Sequence, residues 1–455
     1  MLCRWKSVVL PYFFTQNIIF IYSSRFTDEG MGIRKKAEHL AGIIEKQDFV
    51  RIVTHCDADG ITGGAIAKKF LDEMGIKNEV EIVNYLDPAM MENGSDFTWF
   101  IDLGNAHAEK MRKGTGVIAD HHFSSNRCVH SLNPFAYGVD GETEISASGL
   151  VYLITSNFME DDATISVIGA IGDLQDVKHT RLVGINRELL KNSRVEVKKD
   201  FRAYGRNKPL FRMLAYFSDP PISGLFRRER GAIGFLRSIG VDYRKTWNEC
   251  THEEKKRVFS SVVKLMLERG FDYASISRLF GEVYEMNGHD LREYAAILNS
   301  LGKYGEGMRG IEMCIRERFD GKEILEHHRK RISMYLKYAR QRMDQHHGLY
   351  YFHGDGYIMD TVLGTIAGMI LREEEIPQPV VAFAENERGI KVSVRAPRRL
   401  VEQGLNLSTA INKSARLLGG TGGGHRAAAG AIIPKGKEEE FLQILGSEIR
   451  NQLAL

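Results

Sequence analysis

Cysteine is scarce in this chain of 455 residues. There are five, Cys3, Cys56, Cys128, Cys250 and Cys314, and no two stand in a CxxC pair. An odd, unpatterned set argues against a disulfide framework and against a zinc–thiolate site, and for a reducing compartment. Net charge is also small. Lys+Arg of 62 against Asp+Glu of 59 leaves +3. That is too little to announce a nucleic-acid binder, so any basic surface must be local. No internal repeat or low-complexity tract stands out. The apolar stretch from Val8 to Tyr22 is short for a membrane span, and Pro11, Gln16 and Asn17 interrupt it. Hydrophobic content of 43% and charged content of 27% are ordinary for a globular protein. The length is enough for two or three domains.

What is present is a β–α alternation. Apolar positions Ile33, Ala37, Leu40, Ile43 and Ile44 predict a helix over 33–47. Strands are expected at 49–54, 80–86, 97–102 and 116–119, with helices at 60–74 and 107–113 between them. Short connections between such elements point to a parallel, doubly wound sheet. Helices at 148–158 and 163–171 lead to Asp173. From about Arg181 the pattern turns to long, charged, mostly helical segments, including 251–268 and 323–343. The stretch Lys191 to Arg212 is locally basic and carries Phe201, Tyr204 and Phe211. A second α/β unit starts near Gly348, with a helix at 361–371, paired strands at 380–384 and 390–394, and a helix at 406–418.

Several apolar runs stop at groups that bind hard metals. His55, Asp57 and Asp59 follow the first strand at i, i+2 and i+4, a period that in extended chain puts all three on one face. Gly60 would then permit a sharp turn into the next helix. Asp102 ends the run Phe97 to Ile101, and a single carboxylate there could bridge two ions. Asp120-His121-His122 follows the strand at 116–119; its adjacent imidazoles cannot share one direction and so do different jobs. Asp173 closes the set, with Asp176 as a lesser alternative. Cys56 reads as a small buried residue. Carboxylates with a few imidazoles and no thiolate favour Mn²⁺, with Mg²⁺ or Co²⁺ as alternatives, over structural zinc. Apolar runs ending this way bring ligands together at the carboxyl ends of a parallel sheet. The set resembles a two-metal phosphoesterase centre, with ions roughly 3.5–4 Å apart. Far downstream, Gly419 to Gly424 holds five glycines before His425-Arg426. Glycine lets backbone N–H groups approach a phosphate, and Arg426 adds a charged fork. Ser393 and Arg395, two apart at a strand end, can point the same way.

His55-Cys-Asp57-Ala-Asp59-Gly60, Asp102, Asp120-His121-His122 and Asp173 resemble the four motifs of the DHH phosphoesterase superfamily. Ser393-Val-Arg395 and Gly422-Gly423-Gly424-His425, continuing into Ala427 to Gly430, resemble its C-terminal DHH-associated domain. No expected metal position is substituted. Within the superfamily the chain is similar to archaeal RecJ-like single-strand exonucleases, on the insert segments Tyr204 to Leu210 and Ser218 to Gly224. The resemblance implies an unmatched extension at 1–30, a DHH domain at 31–185, a mostly helical insert at 186–346 and a substrate-binding domain at 347–455, facing the DHH domain across a cleft. It implies one ion on His55, Asp57 and Asp102 and another on Asp59, Asp102, His121 and Asp173. Asp120 would orient a neighbour and His122 would contact the scissile phosphate. Ser393, Arg395, Gly422, Gly423, Gly424, His425 and Arg426 would grip the strand. The implied reaction is metal-dependent hydrolysis of single-stranded DNA or RNA to nucleoside 5′-monophosphates.

Two rival readings stay open. One is a small-substrate enzyme on the same scaffold: a nanoRNase, a 3′-phosphoadenosine phosphatase or a cyclic-dinucleotide phosphodiesterase. The basic-aromatic stretch 191–212 counts against it, since it suits a longer strand through phosphate contacts and stacking; the alternative is a solvated helix face with core aromatics. The other rival is a scaffold associated with the GINS replication complex, which RecJ-like proteins resemble partners of. The first 30 residues carry Arg4 and Lys6 before the apolar stretch, as a signal peptide does. A start at Met31 fits better with a cytoplasmic metal enzyme, for which no membrane association is expected.

Overall fold

The computed structural model describes residues 26–453, apart from 125, 127, 159–161, 218–219 and 374–375. The apolar N-terminal stretch lies outside the described residues. The chain forms two compact units, the first built mainly from residues up to Arg194 and the second mainly from Val195 onward.

The first unit carries a parallel five-stranded sheet in the order β2-β1-β3-β4-β5. Its strands are β1 (Phe49–His55), β2 (Lys77–Val83), β3 (Thr98–Ile101), β4 (Gly116–Ala119) and β5 (Ser131–Leu132). β3 and β4 are buried at every position, as strands covered on both faces must be. Helix α1 (Phe26–Ile44) begins upstream of the expected position, so Met31 lies within it. Helix α2 (Ala58–Glu73) follows β1, and the apolar helices α3 (Ala147–Thr155) and α4 (Thr164–Gly172) close the unit. β2 lies three residues earlier than expected, and the two-residue β5 carried no periodic signal. The short element after β3 is a 3-10 helix, Asn105–Lys110.

The insert, expected to be mostly helical, also contains a small sheet. β6 (Glu196–Phe201), β7 (Phe280–Met286) and β8 (His289–Asp290) form an antiparallel sheet. The basic-aromatic stretch therefore begins as a strand; of its aromatics Phe201 is buried, and Tyr204 and Phe211 are half-buried. Phe201 is 1% exposed and packs edge-on against Trp247 and Phe259, and Phe211 packs against the same core. Arg206, 3% exposed, lies between Glu285 at 2.6 Å and Asp290 at 3.3 Å. Core packing accounts for Phe201, and internal ion pairing for Arg206. Helix α5 (His252–Glu268) opens on a capping box in which Thr251 and Glu254 satisfy each other's backbone N–H.

Downstream is a six-stranded sheet in the order β13-β14-β12-β11-β10-β9. It comprises β9 (Asp344–His346), β10 (Leu349–His353), β11 (Val380–Asn386), β12 (Gly389–Arg395), β13 (Thr421–Gly424) and β14 (Ala428–Ile433). β11 shows why it needs cover on both sides. Val381 and Phe383 enter a core with α8 (Leu407–Leu417) and α9 (Glu438–Leu453); Val380, Ala382 and Ala384 enter another with α6 (Lys322–Gln341) and α7 (Asp360–Glu373).

Candidate metal centre

In the order 2-1-3-4-5 the connection reverses direction between β1 and β3, and a crevice opens at the carboxyl ends of those strands. His55 ends β1, Asp102 follows β3, and Asp120-His121 follows β4. Asp102 adopts a left-handed φ of 61°, which Asp tolerates better than most residues, and its N–H still donates to the Ala119 carbonyl at 2.9 Å. Its carboxylate reaches two ways: Oδ2 lies 3.3 Å from His55 Nδ1, and Oδ1 lies 3.3 Å from His121 Nε2.

The extended-chain reading of the first motif is corrected here. α2 begins at Ala58, so Asp59 sits in its first turn rather than on a strand face with His55 and Asp57. Asp59 Oδ2 accepts the N–H of Ala147 at 2.6 Å, and Oδ1 accepts the N–H and hydroxyl of Ser148 at 3.1 and 2.5 Å. These donors open α3, and a helix N-terminus favours a carboxylate. The reading of Gly60 is corrected too. It has no positive φ; a Cβ there would lie 2.3 Å from the His55 carbonyl oxygen, so glycine lets α2 start tight against the end of β1.

His121 is held by one decisive bond. Its Nδ1 donates to the Gly141 carbonyl at 2.6 Å, which leaves Nε2 facing Asp102, Asp173 Oδ2 at 3.5 Å and Asp59 Oδ2 at 4.0 Å. Burial opposes a charged His121, but those three carboxylates outweigh it and raise its pKa well above the usual imidazole value. Asp120 does a different job. Its Oδ1 accepts His122 Nδ1–H at 2.7 Å and its Oδ2 accepts the Asn105 N–H at 2.9 Å. That hydrogen bond pushes His122 up to about 9, although burial works the other way. Burial opposes ionisation of Asp120 as well, and the His122 bond with the two imidazole charges still lowers its pKa. The His122 side chain is 57% exposed, against 6% for His121, so the two rings differ in access as in direction. Asp173 caps the C-terminal end of α4, where a carboxylate is disfavoured unless a cation is near.

The cluster fits a divalent ion. Asp102 Oδ1 and His121 Nε2 are buried, face each other and make no hydrogen bond, although buried polar atoms are nearly always satisfied. Ligand atoms of His55, Asp57 and Asp102 lie within 4.8 Å of one another, as do those of Asp59, His121 and Asp173 and those of Asp102, His121 and His122. Asp176 and Cys56 join none of these groups; Cys56 is half-buried.

Sequence patterns missed the supporting residues. Asn105, 1% exposed, donates from Nδ2 to the Asp120 carbonyl at 2.6 Å and accepts the Ser131 hydroxyl at 2.8 Å. Gln175 donates to the Gly141 carbonyl at 2.9 Å and to Asp173 Oδ2 at 3.2 Å. A Cβ at Gly169 would lie 2.1 Å from Ser148 Oγ and 2.5 Å from Asp59 Oδ1, so only glycine leaves the Asp59 cradle intact. They carry no periodic signal, and each acts on a group far from it in sequence: Asn105 on Asp120, Gln175 on Gly141 and Gly169 on Asp59.

Comparison with known proteins places the molecule. Residues 348–451 match the DHHA1 domain, and residues 203–280 match the DHH-CID domain. The chain is a DHH-superfamily protein with a RecJ-like fold. It is 29% identical over 438 residues to the uncharacterized protein MJ0831 of Methanocaldococcus jannaschii, covering 90% of this chain and 96% of that one. Its fold matches CDC45 from Entamoeba histolytica with a TM-score of 0.60 at 12% identity, over 94% of this chain and 99% of that one. It matches exonuclease RecJ bound to manganese with a TM-score of 0.52 at 17% identity, over 93% and 94%. Among the described residues, no helix of this DHH protein is long and apolar enough to cross a membrane.

In its DHHA1 domain, the residues expected to grip substrate divide into two groups. Ser393 and Arg395 on β12 both point at α7: a Cβ at Gly364 would meet Arg395 Nη2 at 2.3 Å and Ser393 Oγ at 3.4 Å. Arg395 lines an open pocket of about 800 Å³ together with Arg372, Arg398 and Arg399, and no acidic side chain is among the described lining residues. Burial and the neighbouring Arg372 charge lower the Arg395 pKa. The glycine-rich segment differs from expectation. Gly422, Gly423 and Gly424 belong to edge strand β13, paired with β14. Gly422 faces Ile411, where a Cβ would lie 2.9 Å away, so this glycine serves packing against α8. His425 and Arg426 are exposed and do not line the arginine pocket. Arg426 Nη2 makes a 3.5 Å contact with the Val401 carbonyl.

Proposed function

We propose that this DHH protein is a metal-dependent exonuclease that hydrolyses single-stranded DNA or RNA to nucleoside 5′-monophosphates. The observation that carries the reading is the two ligand groups, His55-Asp57-Asp102 and Asp59-His121-Asp173, joined by the close approach of Asp102 to His121, with two buried polar atoms left for an ion to satisfy. His55, Asp57 and Asp102 would hold one divalent ion, and Asp59, Asp102, His121 and Asp173 the other. The donor set suits Mn²⁺ best, with Mg²⁺ or Co²⁺ next. Such a pair, when bound, activates a water and offsets charge at the reacting phosphorus.

The chain's own residues supply the rest. Asp120 accepts from His122 Nδ1, which orients the exposed ring and leaves Nε2 for a phosphate oxygen. Ser393 and Arg395, with Arg372, Arg398 and Arg399 nearby, would bind strand phosphates through charge-assisted bonds. Gly422 to Gly424, His425 and Arg426 would contact the strand from the edge of the same sheet. The working boundaries are 31–185 for the DHH domain, 186–346 for the insert and 347–455 for the substrate domain. A complete ligand set disfavours a pure scaffold, though a combined role beside GINS is compatible with it.

The test uses end-labelled single-stranded DNA and RNA of about ten to forty nucleotides. Mn²⁺-dependent release of mononucleotides, stopped by EDTA and by Asp120→Ala with His121→Ala, supports the proposal. Efficient cleavage of di- to tetranucleotides alone transfers it to a small-substrate phosphodiesterase. No cleavage of any substrate, with GINS recovered by pull-down from native extract, transfers it to a scaffold.

A further inference from the structure

A second cluster of metal-binding side chains lies in the other unit. β9 and β10 are joined by a two-residue turn, His347-Gly348, with φ of 50° and 79°, and His346 pairs with Leu349 across it. Two positive φ values define the type I′ hairpin turn, whose first position favours Asn. Histidine occupies that position here, one of the non-glycine residues that tolerate it. Its carbonyl accepts Arg450 Nη1 at 3.0 Å, and a Cβ at Gly446 would lie 2.6 Å from that carbonyl oxygen. Gly446 thus lets the turn rest directly on α9. Glu439 stands seven residues earlier on the same helix, two turns away and on the same face.

The three side chains converge. His346 Nε2 is shielded from water and contacts Glu439 Oε1 without forming a hydrogen bond of good geometry. His347 Nε2 lies 4.0 Å from the same oxygen, and the two rings have centroids 3.9 Å apart. Ligand atoms of His346, His347 and Glu439 all lie within 4.8 Å of one another. Asp344, two residues before His346 on β9, adds negative charge on the same strand face. An ordinary ion pair would need one imidazole. Two imidazoles directed at one carboxylate oxygen, on a turn kept in place by a glycine and an arginine of the same helix, are a built arrangement.

We propose that His346, His347 and Glu439 form a separate cation site that ties the β9–β10 turn to the C-terminal helix. Two imidazole nitrogens and one carboxylate oxygen suit Zn²⁺ or Ni²⁺, in contrast with the carboxylate-rich centre of the other unit. The site is independent of the exonuclease reading.

Calorimetric titration of the full chain with Zn²⁺ tests it, alongside His347→Asn and Glu439→Gln. Asn tolerates the left-handed turn, so that variant keeps its fold, which circular dichroism in EDTA checks. The expected result is one Zn²⁺ fewer in His347→Asn than in the parent, at least tenfold weaker binding of that ion in Glu439→Gln, and a Zn²⁺-dependent rise in melting temperature that His347→Asn loses. Equal stoichiometry in parent and His347→Asn overturns the proposal. Mn²⁺-dependent nuclease activity should not change in either variant, so failure here and failure of the exonuclease reading are distinguishable.

Discussion

The Nδ1–H of His121 points at the carbonyl oxygen of Gly141, 2.6 Å away, and this bond decides which nitrogen of the ring faces the carboxylates. The same oxygen accepts Gln175 Nε2 at 2.9 Å, and Gln175, 1% exposed, also reaches Asp173 Oδ2. One buried amide therefore supports both the Asp173 carboxylate and the carbonyl that orients His121.

Gln175→Leu should keep the fold and weaken the centre. Losing such an outer hydrogen bond typically lowers metal affinity or activity about 10- to 100-fold. Mn²⁺ titration followed by calorimetry, with melting temperature measured in EDTA, separates the two effects. Unchanged Mn²⁺ affinity in a folded Gln175→Leu protein would remove Gln175 from the site.

Gly364→Ala tests the arginine pocket. The new Cβ would lie 2.3 Å from Arg395 Nη2, the flexible end of a long side chain, so the guanidinium should shift at little cost in stability. Substrate binding should suffer more than turnover, with KM for single-stranded nucleic acid rising about tenfold, equivalent to about 1.4 kcal/mol. A large fall in kcat at constant KM would contradict a purely binding role.

Stability should fall as pH drops from about 6.5 to about 4, partly because of His328. Burial, with the charges of Lys303 and Arg329, pushes its pKa down to about 4 from the ordinary 6.5, and the neutral ring accepts the Tyr304 hydroxyl at 2.9 Å. In that window the unfolded chain takes up a proton that the folded chain refuses. The contribution is full above about 6.5 and is lost on acidification, amounting to at most roughly 3 kcal/mol before allowance for partial exposure. Urea unfolding of the parent and His328→Gln at pH 7 and pH 5 measures it; parallel losses in both proteins would acquit His328.

The strands β1, β3 and β4 were legible because each is a short apolar run stopped by Asp or His, and local pattern is enough for that. The long helix α5 was legible as a long, charged helical segment. Chain order along the sheet then brings His55, Asp102 and His121 to one edge, as alternating strands and helices require. Other features depended on partners far away in sequence. Asp59 turns toward Ala147 and Ser148, and nothing near Asp59 reports that contact. That Gly422 lies on an edge strand against Ile411 is likewise invisible in the local sequence. Phe201 reads as a stacking platform until Trp247 and Phe259 enclose it. Residue identity alone determined which groups could bind a metal. Only tertiary structure decided which oxygen and which nitrogen face inward, because orientation is set by buried hydrogen bonds and close contacts between segments that the sequence keeps apart.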